Sequence, residues 1–189
     1  MRPIANTRSA AGIPTGRLAV WWVLASEIVI FGGILASYIM YRLANDAWAD
    51  QAAHTNLLAG SFNTFVLLTS SLTAVLGHKA ADEGNGPKAA RLLGLTMLGG
   101  TTFLVVKAFE WTAEIQAGYT VTSNTFWSFY YTAAGLHALH VLAGVVIMGF
   151  VARAAMRGRE LHRVELIGIY WHFVDVIWIF LFPLLYIAR

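Results

Sequence analysis

Seven ionisable side chains stand inside stretches of sequence that are otherwise apolar. They are Glu27, Lys107, Glu110, His137, His140, His172 and Asp175. Six of them form three pairs spaced i, i+3, and this spacing puts both members of a pair on one face of a helix. Carboxyl, imidazole and amine groups can hold protons, form ion pairs or ligate a metal. The elements that carry these residues decide which chemistry is open to them.

The composition is typical of a membrane protein with several spans. The 189 residues are 58% hydrophobic and 12% charged, with a mean hydropathy of +0.61, which is far from the balance of a soluble domain. The absence of cysteine excludes disulfides, thiolate metal sites and covalent c-type haem. Basic residues occur in short clusters between apolar runs and form no continuous stripe, so we expect no nucleic-acid partner.

Five segments are long and apolar enough to cross a hydrocarbon core about 30 Å thick. We predict an all-α bundle of five transmembrane helices that forms one domain over residues 1–189. The predicted spans lie near residues 18–42, 57–77, 92–114, 126–150 and 165–188. The connections between them are short and polar, which leaves no room for a soluble domain.

Lysine and arginine fall on alternate sides of these spans. One side collects Arg2, Arg8, Arg17, Lys79, Lys88, Arg91, Arg153, Arg157, Arg159 and Arg163, whereas the other has Arg42 and Arg189. Because basic residues concentrate on the cytoplasmic side, the pattern predicts a cytoplasmic N-terminus and a periplasmic C-terminus. Four aromatic residues near the outer connections are expected at the level of the lipid headgroups: Trp48, Tyr119, Trp127 and Tyr130.

Depth groups several of the ionisable residues. At about 1.5 Å per residue, Glu27, His140 and Asp175 fall in one layer near the middle of the membrane. His172 lies about 5 Å lower and His137 about 5 Å higher by the same rise. A polar network between three helices is therefore expected. Lys107 and Glu110 fall toward the outer edge, where we expect an ion pair that is partly wetted.

Each of these residues also has a purely structural interpretation. His137 and His140 can serve helix packing, a proton or partner contact, or ligation of a metal or haem. Two histidines at i, i+3 cannot be opposite axial ligands of one haem. Glu27 is expected either to be protonated or to pair with His140, because an unpaired charge at this depth is costly. Mutual neutralisation is the favoured interpretation of Lys107 and Glu110.

Small residues in two spans predict close helix contacts. Span 1 has the small-xxx-small pairs Gly32 with Ala36 and Gly33 with Ser37. Span 3 is interrupted by three glycines: Gly94, Gly99 and Gly100.

Four stretches in the order of the chain resemble one family. The ending YWHFVDVIWIFLFPLLYI, together with LASEIVIFGGILASY, NTFVLLTSSLT and GLHALHVLAG, is similar to subunit III of the haem-copper respiratory oxidases, in its short five-helix bacterial form. The larger members have seven helices, and this chain begins where their third would begin. In span 3 the context KAFEW keeps only the family's acidic position beside an aromatic residue.

The resemblance implies an accessory, non-redox subunit of a proton-pumping terminal oxidase in the bacterial plasma membrane. Haem and copper would be carried by partner subunits, among them the catalytic subunit I and subunit II, and a bound phospholipid is implied as well. Glu27 occupies the position of the family's buried, carbodiimide-reactive glutamate, while His140 and Asp175 fall in its histidine and aspartate motifs. The implied role is to stabilise the catalytic subunit and to support its proton uptake.

Other functions remain open at this stage. The chain could accompany a quinol oxidase or a nitric-oxide reductase, and the electron donor is not encoded in this subunit. A different class would be an independent transporter or a haem-carrying quinone protein using the buried histidines and acids.

Overall fold

The computed structural model describes residues 12, 14–45 and 48–187. Arg2, Arg8 and Arg189, which entered the charge count, lie outside the described residues. Within the described residues the chain forms six α-helices and a short π-helix that prolongs the last of them. The helices are α1 (Thr15–Leu43), α2 (Trp48–Ala52), α3 (Leu57–Asp82), α4 (Gly86–Gln116), α5 (Thr125–Met156) and α6 (His162–Phe182), with the π-helix at Pro183–Ile187.

Five helices are long and apolar enough to cross a membrane: α1, α3, α4, α5 and α6 with its π-helical end. The prediction of an all-α membrane protein with five spans is therefore confirmed. The helices extend beyond the predicted spans, most of all in α4, which begins at Gly86 rather than near residue 92. Asn85 caps this helix and lets the polar residues that follow it form regular turns before the apolar segment begins.

Asparagine side chains define the start of three long helices. Each accepts a hydrogen bond from a backbone N–H in the first turn, which satisfies a donor that the helix itself cannot use. The bonds are Ala59 N–H to Asn56, Lys88 N–H to Asn85 and Trp127 N–H to Asn124, at 3.0 to 3.1 Å. These caps fix where the chain enters each span.

The helices α3, α4, α5 and α6 form the packed core of the bundle. In this ring α3 packs on α4, α4 on α5, α5 on α6 and α6 on α3, while α1 lies outside against α6 and α5. The short α2 packs on α5 and on the π-helix. The ring is therefore the element that positions most of the ionisable residues.

Trp171 of α6 lies where three helices approach one another closely. A Cβ on Gly100 would lie 2.5 Å from its ring, and one on Gly144 would lie 3.0 Å from it. The indole N–H donates to Ser70 Oγ of α3 at 3.0 Å. The predicted helix contact is confirmed for Gly100 and also for Gly99, whose Cβ would lie 2.7 Å from Ser70 Cβ.

Other glycine predictions are wrong for contacts within this chain. Among the described residues, no atom beyond the neighbouring turns of the same helix lies within 4 Å of a Cβ built on Gly32, Gly33 or Gly94. On α1 the reason is its outside position, since the face that carries these small residues points away from the ring.

Three of the four aromatic residues expected at the level of the headgroups pack inside the protein rather than on its surface. Trp48, Trp127 and Tyr130 are buried, because α2 and the N-terminal end of α5 fold onto one another. Trp48 meets the ring of Tyr38 edge to face at 5.2 Å, and Trp127 stacks on Tyr119 at 4.8 Å.

Candidate functional site

Glu27 and His140 meet between α1 and α5. The distance from Glu27 Oε2 to His140 Nε2 is 3.1 Å, and both side chains are less than a fifth exposed. His140 Nδ1 lies 2.8 Å from the carbonyl oxygen of Leu136, which can only accept, so Nδ1 carries a proton. The two side chains are thus paired, which is one of the two alternatives that the sequence left open for Glu27.

Further contacts hold this pair in place. Phe31 of α1 packs edge to face on the His140 ring at 5.5 Å. The hydroxyl of Tyr170 on α6 donates to the carbonyl oxygen of His140 at 3.1 Å. Residues of α1 and α6 thus both contact His140 of α5.

His137 has a different environment from His140. Its ring is fully buried, stacks on Trp178 with centroids 5.1 Å apart and meets Phe103 edge to face at 5.3 Å. Neither ring nitrogen has a hydrogen-bond partner among the described residues. The surroundings are those of an aromatic side chain that packs by its shape, without the hydrogen bond that the packing interpretation included.

His172 and Asp175 face α3 rather than α1. His172 Nδ1 lies 2.6 Å from Ser71 Oγ. Asp175 is buried beside the same serine, and neither carboxyl oxygen completes a hydrogen bond within the described chain. The predicted three-helix layer is therefore divided. Glu27 and His140 form one pair, and no bond between described residues joins Asp175 to either of them.

Lys107 and Glu110 form a buried ion pair, and the expectation that they are partly wetted is wrong. Lys107 Nζ lies 3.0 Å from Glu110 Oε2, and both side chains are at most 2% exposed. The ammonium also donates to the hydroxyls of Tyr130, at 3.0 Å, and Tyr186. The π-helix and α5 close over this end of α4, which removes the pair from water.

The sequence did not reveal that three further residues join this ion pair in a cluster: Glu114, Tyr130 and Tyr186. Tyr130 Oη lies 3.0 Å from Glu114 Oε1 and 3.2 Å from Tyr186 Oη. Glu114 follows Lys107 by seven residues and Glu110 by four, so the helical spacing of KAFEWTAE could have revealed it. Tyr186 had no such signal, because a π-helix sets its direction.

No group of three or more His, Cys, Asp or Glu side chains among the described residues is arranged to hold a metal ion. The polar contacts of these site residues are an acid–imidazole pair, a buried ion pair and hydrogen bonds to hydroxyl groups.

Comparison with known proteins identifies the family. A family model described as cytochrome c oxidase subunit III matches residues 10–188. This chain belongs to the cytochrome c oxidase subunit III family. The resemblance seen in the sequence is thereby confirmed, and Glu27 and His140 form their pair within the region that the family model covers.

Two relatives named cytochrome c oxidase subunit 3 match this chain over most of their own length, and a fused relative matches over a smaller part of its length. Cytochrome c oxidase subunit 3 of Corynebacterium diphtheriae is 34% identical over 173 residues, which cover 88% of this chain and 84% of the relative. The protein of the same name from Thermostichus vulcanus is 34% identical, covering 87% and 83%. The heme-copper oxidase subunit I+III of Aeropyrum pernix is 32% identical over 91% of this chain but 22% of its own length.

Proposed function

We propose that this chain is the accessory, non-redox subunit III of a proton-pumping haem-copper terminal oxidase, a cytochrome c oxidase, in a bacterial plasma membrane. It stabilises the catalytic subunit and supports its proton uptake. The observation that carries the proposal is the Glu27–His140 pair, a contact between an acid and an imidazole at 3.1 Å in a member of the subunit III family. Haem and copper belong to the partner subunits.

The proposed partners are the catalytic subunit I and subunit II. Support for subunit I comes from the relative of Aeropyrum pernix, whose name joins I and III in one chain. A chain that fuses subunits I and III always provides them in equal numbers. This suits two subunits that act in one assembly. Co-purification of subunits I and II with this chain tests the partnership, and isolation without them contradicts it.

Glu27 is the residue through which the role is tested. Replacing Glu27 with Ala leaves the His140 ring without its acid, at a cost of about 1–3 kcal/mol for an unsatisfied buried group. We expect carbodiimide labelling of the subunit to be lost. The initial oxidase rate should be kept, while activity should decay faster over many turnovers.

Two further variants separate the effect of charge from that of packing. Glu27→Gln keeps a hydrogen-bonding group against His140 Nε2, so stability should recover while labelling stays lost. Glu83→Ala, at the exposed turn between α3 and α4, should change neither. Unchanged labelling together with an unchanged turnover lifetime in Glu27→Ala would contradict the proposal.

The proposed arrangement in the membrane is one domain of five spans with the N-terminus in the cytoplasm. Support comes from the connections of the bundle. The turns that join α3 to α4 and α5 to α6, with the adjoining helix ends, carry Lys79, Lys88, Arg91, Arg153, Arg157, Arg159 and Arg163. The connection between α4 and α5 has neither lysine nor arginine.

A bound phospholipid is the last part of the proposal. Between α1, α5 and α6 lies a mostly apolar cavity of about 410 Å³, with Glu160 and Arg163 among its lining residues. A second cavity of about 180 Å³ shares Phe150, Ala154 and Glu160 with it and adds three arginines: Arg153, Arg157 and Arg159. An acyl chain fits the first and an anionic headgroup the second. Native mass spectrometry of the purified complex should detect the lipid, and its loss after Arg153→Ala with Arg157→Ala would support the site.

A further inference from the structure

The cluster around Lys107 contains one amine and two carboxyl groups at the end of α4 that faces the α4–α5 connection. Lys107 Nζ has three acceptors: Glu110 Oε2, Tyr130 Oη and Tyr186 Oη. An ammonium has three hydrogens, one for each of these acceptors. The contact with Glu110 is an ion pair at 3.0 Å, which makes Lys107 the cation of the cluster.

Glu110 has a donor available for each of its oxygens. Oε2 accepts from Lys107 at 3.0 Å, and Oε1 lies 3.1 Å from the hydroxyl of Tyr130. This is the environment of an ionised carboxylate, because both oxygens act as acceptors.

Glu114 does not have the same environment. Its Oε1 also lies 3.0 Å from the Tyr130 hydroxyl, and its Oε2 is buried without a partner among the described residues. A phenol has one hydrogen, so Tyr130 cannot donate to both glutamates. When Tyr130 donates this hydrogen to Glu110, no hydrogen is left for the contact between Tyr130 Oη and Glu114 Oε1. That contact is then a hydrogen bond only if Glu114 is protonated and donates.

Charge leads to the same conclusion as the hydrogen count. With both acids ionised, the cluster would carry one uncompensated negative charge in an interior where a lone buried charge is expensive. Four aromatic rings lie 4.8 to 5.6 Å from Lys107 Nζ: those of Trp111, Tyr130, Trp178 and Tyr186. Among the described residues, the other titratable groups that face Glu114 are Glu110 and the phenol of Tyr131 on α5. Neither of them supplies a second cation beside Lys107.

We propose that Glu114 is a neutral carboxylic acid that binds one exchangeable proton and donates it in a hydrogen bond to Tyr130 Oη. The cluster is then neutral, with Lys107 as its cation and Glu110 as its anion. This proton site is separate from the Glu27–His140 pair and does not depend on the proposed oxidase role.

Infrared spectroscopy of the purified complex tests the site. The spectrum should contain a carbonyl-stretch band of a protonated carboxylic acid that shifts down in D₂O and is lost in Glu114→Gln. The matched control Glu83→Gln, an exposed glutamate at the α3–α4 turn, should leave the band unchanged.

Thermal unfolding assigns the proton to one of the two acids. Glutamine is the neutral isostere of a protonated glutamate, so Glu114→Gln should leave the unfolding temperature unchanged. Glu110→Gln removes the direct partner of a buried cation and should lower it by roughly 5 °C or more.

Three results would overturn the assignment. The first is that no acid band separates the wild-type complex from Glu114→Gln. The second is that Glu114→Gln unfolds at a temperature as low as Glu110→Gln. The third is that Glu114→Gln fails to assemble while Glu110→Gln assembles, since a neutral acid tolerates its amide.

Discussion

At the scale of residues, the two histidines of α5 differ in their polar partners, a difference that their spacing in the sequence does not reveal. His137 and His140 are three positions apart, yet His140 contacts an acid and two backbone or hydroxyl groups. His137 contacts aromatic rings and has two buried nitrogens without partners in the described chain. The polar chemistry of this helix therefore resides in His140, while His137 contributes its shape.

Replacing each histidine with Phe should give opposite results. In His137→Phe two unsatisfied buried nitrogens disappear and the ring shape is kept, so the free energy of unfolding should change by no more than about 1 kcal/mol. In His140→Phe the acid of Glu27 loses its partner, and the loss should be about 1–3 kcal/mol. Thermal unfolding of the purified complex measures both, and equal losses would show that His137 has a polar partner.

Helix depth correctly placed Glu27 and His140 at one level, and their pairing was one of the two alternatives that the sequence left open for Glu27. The division of the polar layer could not be predicted, since Asp175 faces α3 and the direction of a side chain around a helix axis depends on packing. The burial of Lys107 and Glu110 was missed for a related reason. Distance from a helix end predicts contact with water only when nothing folds over that end, and here α5 and the π-helix do.

At the scale of elements, the close approach of α4 and α5 to α6 depends on glycine residues, which have no side chain beyond Cα. Trp171 fills the space that Cβ atoms on Gly100 and Gly144 would occupy. The sequence correctly predicts helix contacts at Gly99 and Gly100 of span 3, but it does not distinguish them from Gly94. Only a partner helix distinguishes a glycine that permits contact from one that faces outward.

Substituting Ala at two glycines of α4 tests this contact. Gly100→Ala places a methyl group 2.5 Å from Trp171 Cη2 and 2.7 Å from Val145 Cγ2. We expect a loss of about 1–3 kcal/mol, since both neighbours are held in the packed ring. Gly94→Ala on the same helix meets nothing within 4 Å and should be neutral or stabilising by up to about 1 kcal/mol. Similar unfolding temperatures for the two variants would contradict the packing argument.

At the scale of the whole molecule, the bundle is a ring of four helices with α1 on its outside. Five apolar helices could be predicted from composition and length, and the family from four sequence stretches. The short α2 and the π-helix could not, because five-residue elements leave too little periodicity to detect. Yet these two elements close the end of the bundle that holds the Lys107 cluster.

The orientation of the whole molecule can be tested with single cysteines, because the chain contains none of its own. Thr122→Cys lies in the exposed α4–α5 connection and Glu83→Cys in the exposed α3–α4 turn. With the N-terminus inside, an impermeant thiol reagent should label position 122 in intact cells and position 83 only after permeabilisation. The reverse pattern would invert the proposed topology.

The π-helix at Pro183–Ile187 means that one side of the Lys107 cluster depends on how tightly this segment is wound. Tyr38 Oη donates to the carbonyl oxygen of Leu184 at 2.5 Å and steadies this wider turn. An α-helix advances by about 100° per residue and a π-helix by less, so a return to α-helical winding would turn Tyr186 around the helix axis relative to Lys107. A change in the winding of these five residues could therefore dismantle the cluster without changing any of its side chains.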